Sequence, residues 1–145
     1  EVVGDWRFAR GWLGRIAYSY VEGTDEDLDQ PLASIAPSQL VASLRYAVPG
    51  GRWGAELIGT FTESKTSSDL PDGSTQFQVP SSSVVDLVGW LTITDPLRLQ
   101  LSVWNLTDED YWTWSYARGL SEGSATLDRF TQPGTSVGAQ LRYSF

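Results

Sequence analysis

The chain has 145 residues, a formal net charge of −8 at pH 7, and no cysteine, histidine or methionine. Disulfide bonds, zinc sites built from Cys and His, and histidine-based catalytic triads are therefore excluded. The acidic balance argues against a nucleic-acid partner, because nucleic-acid phosphates require a basic surface. No run approaches the roughly 18 apolar residues that a membrane-spanning helix needs.

Six segments alternate between apolar and polar residues with the two-residue period of a β-strand, and no segment of useful length shows a helical period. In chain order, the predicted strands are Trp6–Glu22, Gln39–Val48, Arg52–Thr62, Val84–Thr94, Leu97–Leu106 and Ser136–Phe145. Apolar side chains share one face of each strand, and nearly all strand charges lie on the other. The charged residues that we predict to face the lumen of a barrel are Arg7, Arg15, Arg45, Glu56, Asp86, Arg98 and Arg142. Arg10 breaks the pattern, which indicates a bulge near Gly11 or a position at an interface.

The connections between the predicted strands alternate in length. Pro49–Gly51 and Asp95–Pro96 are tight turns, since Gly and Pro favour hairpin geometry. The other three connections are long: Gly23–Ser38, Glu63–Ser83 and Asn105–Thr135. Tight turns on one side and large loops on the other are typical of transmembrane barrels, whose long loops face outside.

Alternation by itself does not decide which face meets lipid, because a soluble β-sandwich has the same pattern with its apolar face turned inward. The unequal connections, the aromatic residues near strand ends and the terminal Phe145 favour lipid on the apolar face. The predicted fold is therefore all-β, an antiparallel meander of about six transmembrane strands.

Several motifs resemble the C-terminal region of TonB-dependent outer-membrane receptors, in the branch that binds haem or haemoglobin. The resemblance covers nearly the whole chain, although Thr107 stands where the family usually has Phe. The segments that carry it are Asn105-Leu106-Thr107-Asp108 with Tyr111, Tyr111–Ser115 with Arg118–Leu120, Asp128–Gly134, Pro31–Pro37, Gly51–Glu56 and Val85–Leu87.

The resemblance implies that residues 1–145 form the C-terminal strands of a plugged barrel of about 22 strands, with the plug and earlier strands absent from this sequence. It implies a receptor in the outer membrane of a Gram-negative bacterium, and no enzyme. Haem or an iron chelate would be its cargo rather than a cofactor, and no bound metal or cofactor is expected. The expected partners are outer-membrane lipid, the haem or iron-chelate ligand or a haem-carrying protein, and TonB acting through the plug.

The third long connection concentrates aromatic residues beside a cation. We interpret these residues as a ligand-binding surface, because aromatic rings stack on planar ligands and an arginine pairs with a carboxylate. The alternative is an interfacial aromatic belt with loop packing at the barrel rim. The candidate ligand-binding residues are Tyr111, Trp112, Trp114, Tyr116 and Arg118. In the last strand, Leu141, Tyr143 and Phe145 are expected to form the outer-membrane assembly signal.

Other interpretations of the residues remain open at this point. Two acidic runs, Asp25–Asp29 and Asp108–Asp110, fit solvated loops better than a Ca²⁺ site, because they lack EF-hand spacing. Asn105-Leu106-Thr107 matches a glycosylation sequon, which would be incidental in a bacterial outer membrane. The alternative functions are a complete small membrane barrel acting as an adhesin or structural protein, and a soluble Trp-rich sandwich that binds carbohydrate.

Overall fold

Seven strands form one antiparallel sheet in the computed structural model, which describes all residues from Glu1 to Phe145. The strands are β1 (Val2–Ala9), β2 (Trp12–Ser19), β5 (Gln39–Ala47), β6 (Trp53–Thr62), β7 (Ser82–Thr94), β8 (Leu97–Trp104) and β9 (Ser136–Tyr143). They lie side by side in chain order, as a meander does. A separate hairpin contains β3 (Thr24–Asp25) and β4 (Gln30–Pro31). Helical structure is limited to α1 (Trp114–Ala117) and 3₁₀ turns at Ser67–Asp69 and Leu127–Phe130. No helix has both the length and the apolar character needed to cross a bilayer.

The first predicted strand is in fact a hairpin, so the prediction of one strand over Trp6–Glu22 was wrong. The chain reverses at Arg10 and Gly11, and Gly11 has a φ of +84°. A Cβ at Gly11 would also collide with the carbonyl oxygen of Ala47, so only glycine fits this turn. Ala9 pairs with Trp12 at the turn, and a register shift between Trp6 and Ala9 then pairs even-numbered residues of β1 with even-numbered residues of β2. The alternation therefore continues in phase across the reversal and hid it. Arg10 lies in the turn itself, which explains why it follows neither face.

The strand register lines up side chains of neighbouring strands in rows across the sheet, apolar on one face and mostly polar on the other. Partners in successive pairs share a face, so the register alone defines each row. On the apolar face, one row runs from β2 to β9 through Gly14, Leu44, Leu57, Leu87, Val103 and Val137. On the polar face, a row from β1 to β7 runs through Asp5, Arg15, Ser43, Ile58 and Asp86. Each face is thus continuous over neighbouring strands.

The apolar face has no second layer of protein over it. Val137 is 74% exposed, Leu141 64% and Leu57 45%, although each lies within a strand. A β-sandwich would bury these side chains against a second sheet, so the soluble-sandwich alternative is wrong. An apolar surface of this extent is stable only against another apolar phase.

All the short turns lie at one end of the sheet and all the long loops at the other. The short connections are Arg10–Gly11, Val48–Arg52 and Asp95–Pro96. The long ones are named L1 (residues 20–38), L2 (residues 63–81) and L3 (residues 105–135). The strands β1 and β9 each pair on one side only, so these seven strands form an open sheet rather than the closed small barrel considered as an alternative.

Candidate ligand-binding site

The three long loops pack together at the end of the sheet into one hydrophobic cluster, which we call the loop core. Its fully buried members are Leu70 and Val79 from L2, and Trp114 and Ala117 from L3. Ala33 from L1, Phe77 from L2 and Trp112 from L3 pack against them. Because the strands lie in a single layer, this cluster is the main hydrophobic core of the chain. It fixes the three loops relative to one another.

Two of the predicted ligand contacts belong to this core. Trp114 is only 5% exposed, and its indole N–H donates to the carbonyl of Ala33 at 3.0 Å. Trp112 is partly buried, with its ring 5.3 Å from that of Phe77 and its N–H donating to the carbonyl of Leu127 at 3.0 Å. Trp114 thus packs in the loop core and also lines the cavity between L3 and the sheet, and its role as a ligand contact stays a prediction.

A cavity of about 350 Å³ lies between L3 and the polar face of the sheet. Tyr111, Trp112 and Trp114 line it from L3, and hydroxyl and amide side chains line it from the strands together with Asp86. Burial raises the pKa of Tyr111, and the negative charge of Asp86 raises it further. The phenol therefore stays protonated at neutral pH and is available as a donor or, after deprotonation by a metal, as an oxygen ligand.

The remaining two candidates lie on the outer surface of L3. Tyr116 is 63% exposed, and Arg118 is exposed immediately after α1. Neither lines the cavity. Three of the five candidate residues therefore line the cavity, and the other two lie on the outer surface.

Asn105 joins the two ends of L3. It is 3% exposed and has a φ of +51°. Its side-chain N–H groups donate to the carbonyls of Glu109 at 2.9 Å and Pro133 at 3.1 Å, and its side-chain oxygen accepts from the backbone N–H of Glu109 at 2.9 Å. The hydroxyl of Thr135 donates to the Asn105 carbonyl at 2.8 Å, and Asp108 accepts from the backbone N–H of Thr135 at 2.8 Å. The Asn-Leu-Thr-Asp motif therefore closes the loop, and burial of Asn105 makes the sequon inaccessible.

Carboxylates in the two acidic runs accept hydrogen bonds within their own loops. The carboxylate of Asp25 accepts from the backbone N–H groups of Asp27 and Leu28, which stabilises the tip of the β3–β4 hairpin. Neither run brings three acidic side chains into a group that would hold a metal ion.

The strand register places six of the seven charged residues predicted to face a lumen on the polar face, and Arg7 lies where the β1–β2 register shifts. That this face lines a lumen stays a prediction. Arg15 and Asp5 form the one ion pair, at 2.7 Å, and Glu56 accepts from the hydroxyl of Ser43 at 2.8 Å. The guanidinium carbon of Arg45 lies 4.6 Å, and that of Arg98 5.8 Å, from the ring centre of Trp90. Arg98 also lies opposite Arg142, which leaves two like charges as neighbours. Arg7 precedes the β1–β2 turn, and Asp86 accepts from the backbone N–H of Asn105 at 2.8 Å.

The expected assembly residues line the exposed end of β9. Leu141 and Tyr143 lie on the apolar face, and the rings of Tyr143 and Phe145 meet edge to face at 5.5 Å. Their role in assembly stays a prediction.

Sequence reasoning missed Lys65, which is buried in L2; its one available signal was that it is the only lysine in the chain.

An apolar outer face, a polar inner face and loops at one end are the features of a membrane barrel wall. Residues 1–106 match the family described as TonB dependent receptor-like, beta-barrel. The chain belongs to the TonB-dependent receptor family. It is therefore a component of the outer membrane of Gram-negative bacteria, and the apolar face meets lipid.

Curated relatives in this family are receptors and binding proteins, not enzymes. The chain is 26% identical to hemoglobin-haptoglobin utilization protein B of Neisseria meningitidis, over 88% of this chain and 18% of that protein. It is 25% identical to hemoglobin-haptoglobin-binding protein A of Haemophilus influenzae, over 96% of this chain and 15% of that protein. The chain thus spans less than a fifth of the length of these relatives.

Solved structures of the family share the fold. The copper transporter OprC superposes with a TM-score of 0.83 at 20% identity, over 99% of this chain and 23% of the transporter. The ferric enterobactin receptor of Pseudomonas aeruginosa superposes with a TM-score of 0.70 at 18% identity, over 97% and 21% of the two chains. The seven strands are therefore arranged as a part of such a barrel wall.

Proposed function

We propose that this protein takes up haem or an iron chelate across the outer membrane, and that residues 1–145 supply barrel wall and external loops. The proposal is supported by relatives named for haemoglobin and haptoglobin binding. Energy would come from TonB acting on a plug outside these residues, as the family membership implies. A haem-carrying protein would be the source of the cargo at the cell surface.

The cavity beneath L3 is the observation that carries the proposal. It lies at the loop end of the polar face, where a cargo passing from the outside into a lumen would arrive. Tyr111 presents a phenol that can donate a hydrogen bond or ligate iron, and Trp112 supplies aromatic surface. On the outer side, Tyr116 can stack on a planar ligand and Arg118 can pair with its carboxylate.

Haemin binding to the intact protein in detergent or lipid tests the proposal. We expect Tyr111→Phe and Arg118→Gln each to weaken haemin binding about tenfold, the effect of one lost polar contact. Arg52→Gln is the matched control, because Arg52 lies in a short turn at the opposite end of the sheet. Binding of a ferric chelate but not haemin would select the chelate as cargo. Failure of the intact protein to bind either ligand would refute the proposal.

A further inference from the structure

A cavity of about 500 Å³, which we call the rim groove, opens on the apolar face of the sheet where the strands meet the long loops. Its lower wall is a row of the strand register on the same face as Leu57, but nearer the loops. Two aromatic side chains of this row are largely exposed, Tyr18 at 40% and Phe61 at 44%. Because the apolar face meets lipid, the rim groove lies where hydrocarbon gives way to lipid head groups. The row consists of Tyr18, Leu40, Phe61 and Ser83.

Hydroxyl groups line the rim groove on its loop side. Ser38 is only 9% exposed, and its hydroxyl makes no hydrogen bond within the chain. That oxygen is not sealed inside the protein, so it is open to the groove that Ser38 lines. Ser81 and Ser83 add two exposed hydroxyls at the start of β7. These hydroxyls are uncharged donors that suit the oxygens of a phosphate.

Two carboxylates complete the lining of the rim groove. Glu63 is exposed in L2, and Glu109 is half-buried in L3. Neither carboxylate accepts a hydrogen bond or joins an ion pair within the chain, whose one ion pair joins Arg15 and Asp5. No lysine or arginine lines the groove. The carboxylates therefore repel a head group with a net negative charge and favour a cation that carries N–H donors.

We propose that the rim groove binds a membrane lipid that carries a phosphoethanolamine head group. The groove presents apolar side chains at the strand ends and polar ones towards the loops, which matches the acyl chains and head group of such a lipid. The backbone N–H of Glu63 donates to the Ser38 carbonyl at 3.0 Å, so a hydroxyl and a carboxylate lie on adjacent residues, as phosphate and ammonium are adjacent in the lipid. The head group has no net charge, so the two carboxylates do not repel it. The volume lies within the 300–1,000 Å³ or so of typical ligand sites.

Native mass spectrometry of the intact protein in detergent tests the proposal with phosphatidylethanolamine, phosphatidylcholine and phosphatidylglycerol of the same acyl chains. EDTA is present, so that no divalent cation bridges a lipid phosphate to the carboxylates. We expect phosphatidylethanolamine to bind about ten times more tightly than either other lipid, the effect of one charged hydrogen bond. Phosphatidylcholine has a cation without N–H donors, and phosphatidylglycerol has a net negative charge.

Matched variants assign the preference to the rim groove. Glu63→Gln and Glu109→Gln should each reduce the preference by weakening the binding of phosphatidylethanolamine alone. Glu26→Gln is the control, because it removes the same charge from an exposed residue at the tip of the β3–β4 hairpin, outside the groove. It should leave the preference unchanged.

Each remaining outcome counts against the proposal. Equal binding of the three lipids, or tighter binding of phosphatidylglycerol, would overturn it. An equal loss for all three lipids in Glu63→Gln and Glu109→Gln would show that the carboxylates act only through loop packing, which also overturns it. Soluble phosphoethanolamine lacks acyl chains and should bind at least about a hundred times more weakly, so equal affinity would overturn the assignment to a membrane lipid. These measurements do not involve haemin, so the proposed function is tested separately.

Discussion

Replacing Asn105 with alanine tests whether one side chain holds both ends of L3. The substitution removes three short hydrogen bonds, two donated by the amide and one accepted by it, and a long contact of 3.4 Å from the Thr107 hydroxyl, in a residue that is 3% exposed. Each contributes about 1 kcal/mol net. Alanine also tolerates a φ of +51° less well than asparagine, which adds about 1 kcal/mol. We expect the free energy of unfolding to fall by about 4 kcal/mol.

Urea unfolding of the intact protein in lipid vesicles measures this loss, and limited proteolysis locates it in L3. Asn105→Gly relieves the backbone cost and should lose about 3 kcal/mol. Thr107→Ala is the control within the same motif, because the Thr107 hydroxyl makes only long contacts of 3.4 and 3.5 Å. It should change stability by less than about 0.5 kcal/mol. An Asn105→Ala protein as stable as the parent, or a Thr107→Ala protein as unstable as Asn105→Ala, would refute the reasoning.

Three further changes test other parts of the structure. Gly54→Ala should cost about 1–3 kcal/mol in urea unfolding, because the added Cβ would collide with the ring of Trp90. Trp114→Ala should loosen all three loops, with a loss of about 3–5 kcal/mol and faster proteolysis in each loop. The backbone N–H of Thr66 lowers the pKa of Asp69, so its stabilisation of L2 is present above about pH 4 and is lost as the pH falls through the folded-state pKa. Asp69→Asn should therefore remove the acid dependence of protease protection in L2.

Each of these changes has a control in the chain. Gly89→Ala places its Cβ no closer than 3.8 Å to any other atom and should be tolerated, unlike Gly54→Ala. Tyr116→Ala removes an exposed ring from the same helix as Trp114 and should leave the loops protected. Asp72→Asn alters an exposed carboxylate of L2 and should keep the acid dependence. A control that behaved like its partner would contradict the assigned contact.

The strand pattern was predictable from sequence because a sheet one layer thick obeys a single rule. Side chains alternate with period two, so the residue order alone assigns the apolar and polar faces, and both agree with the register. The same rule hid the β1–β2 turn. The register shift between Trp6 and Ala9 leaves even-numbered residues of both strands on one face, so the reversal at Gly11 makes no break in the alternation. Only the positive φ and the close approach of Ala47 identify the turn.

The loops were less predictable, since their packing depends on contacts between distant segments. The cluster of aromatic residues in L3 was visible in the sequence, but the bond from Trp114 to Ala33 joins residues 81 positions apart. No local pattern indicates such a contact, so sequence alone does not separate Trp114 from Tyr116. Lys65 was missed for the same reason, because its burial follows from how L1 and L2 meet.

The central claim, that the apolar face meets lipid and the polar face does not, has a direct test. The chain contains no cysteine, so single cysteines along β6 can be spin-labelled one at a time in the intact protein in bilayers. Spin labels at positions 57 and 61 should collide often with dissolved oxygen, which concentrates in lipid. Spin labels at positions 56 and 60 should collide more often with a water-soluble nickel chelate, or be shielded from both reagents. The reverse pattern of oxygen and nickel accessibility, or no alternation in accessibility from position 55 to 61, would contradict the barrel-wall assignment.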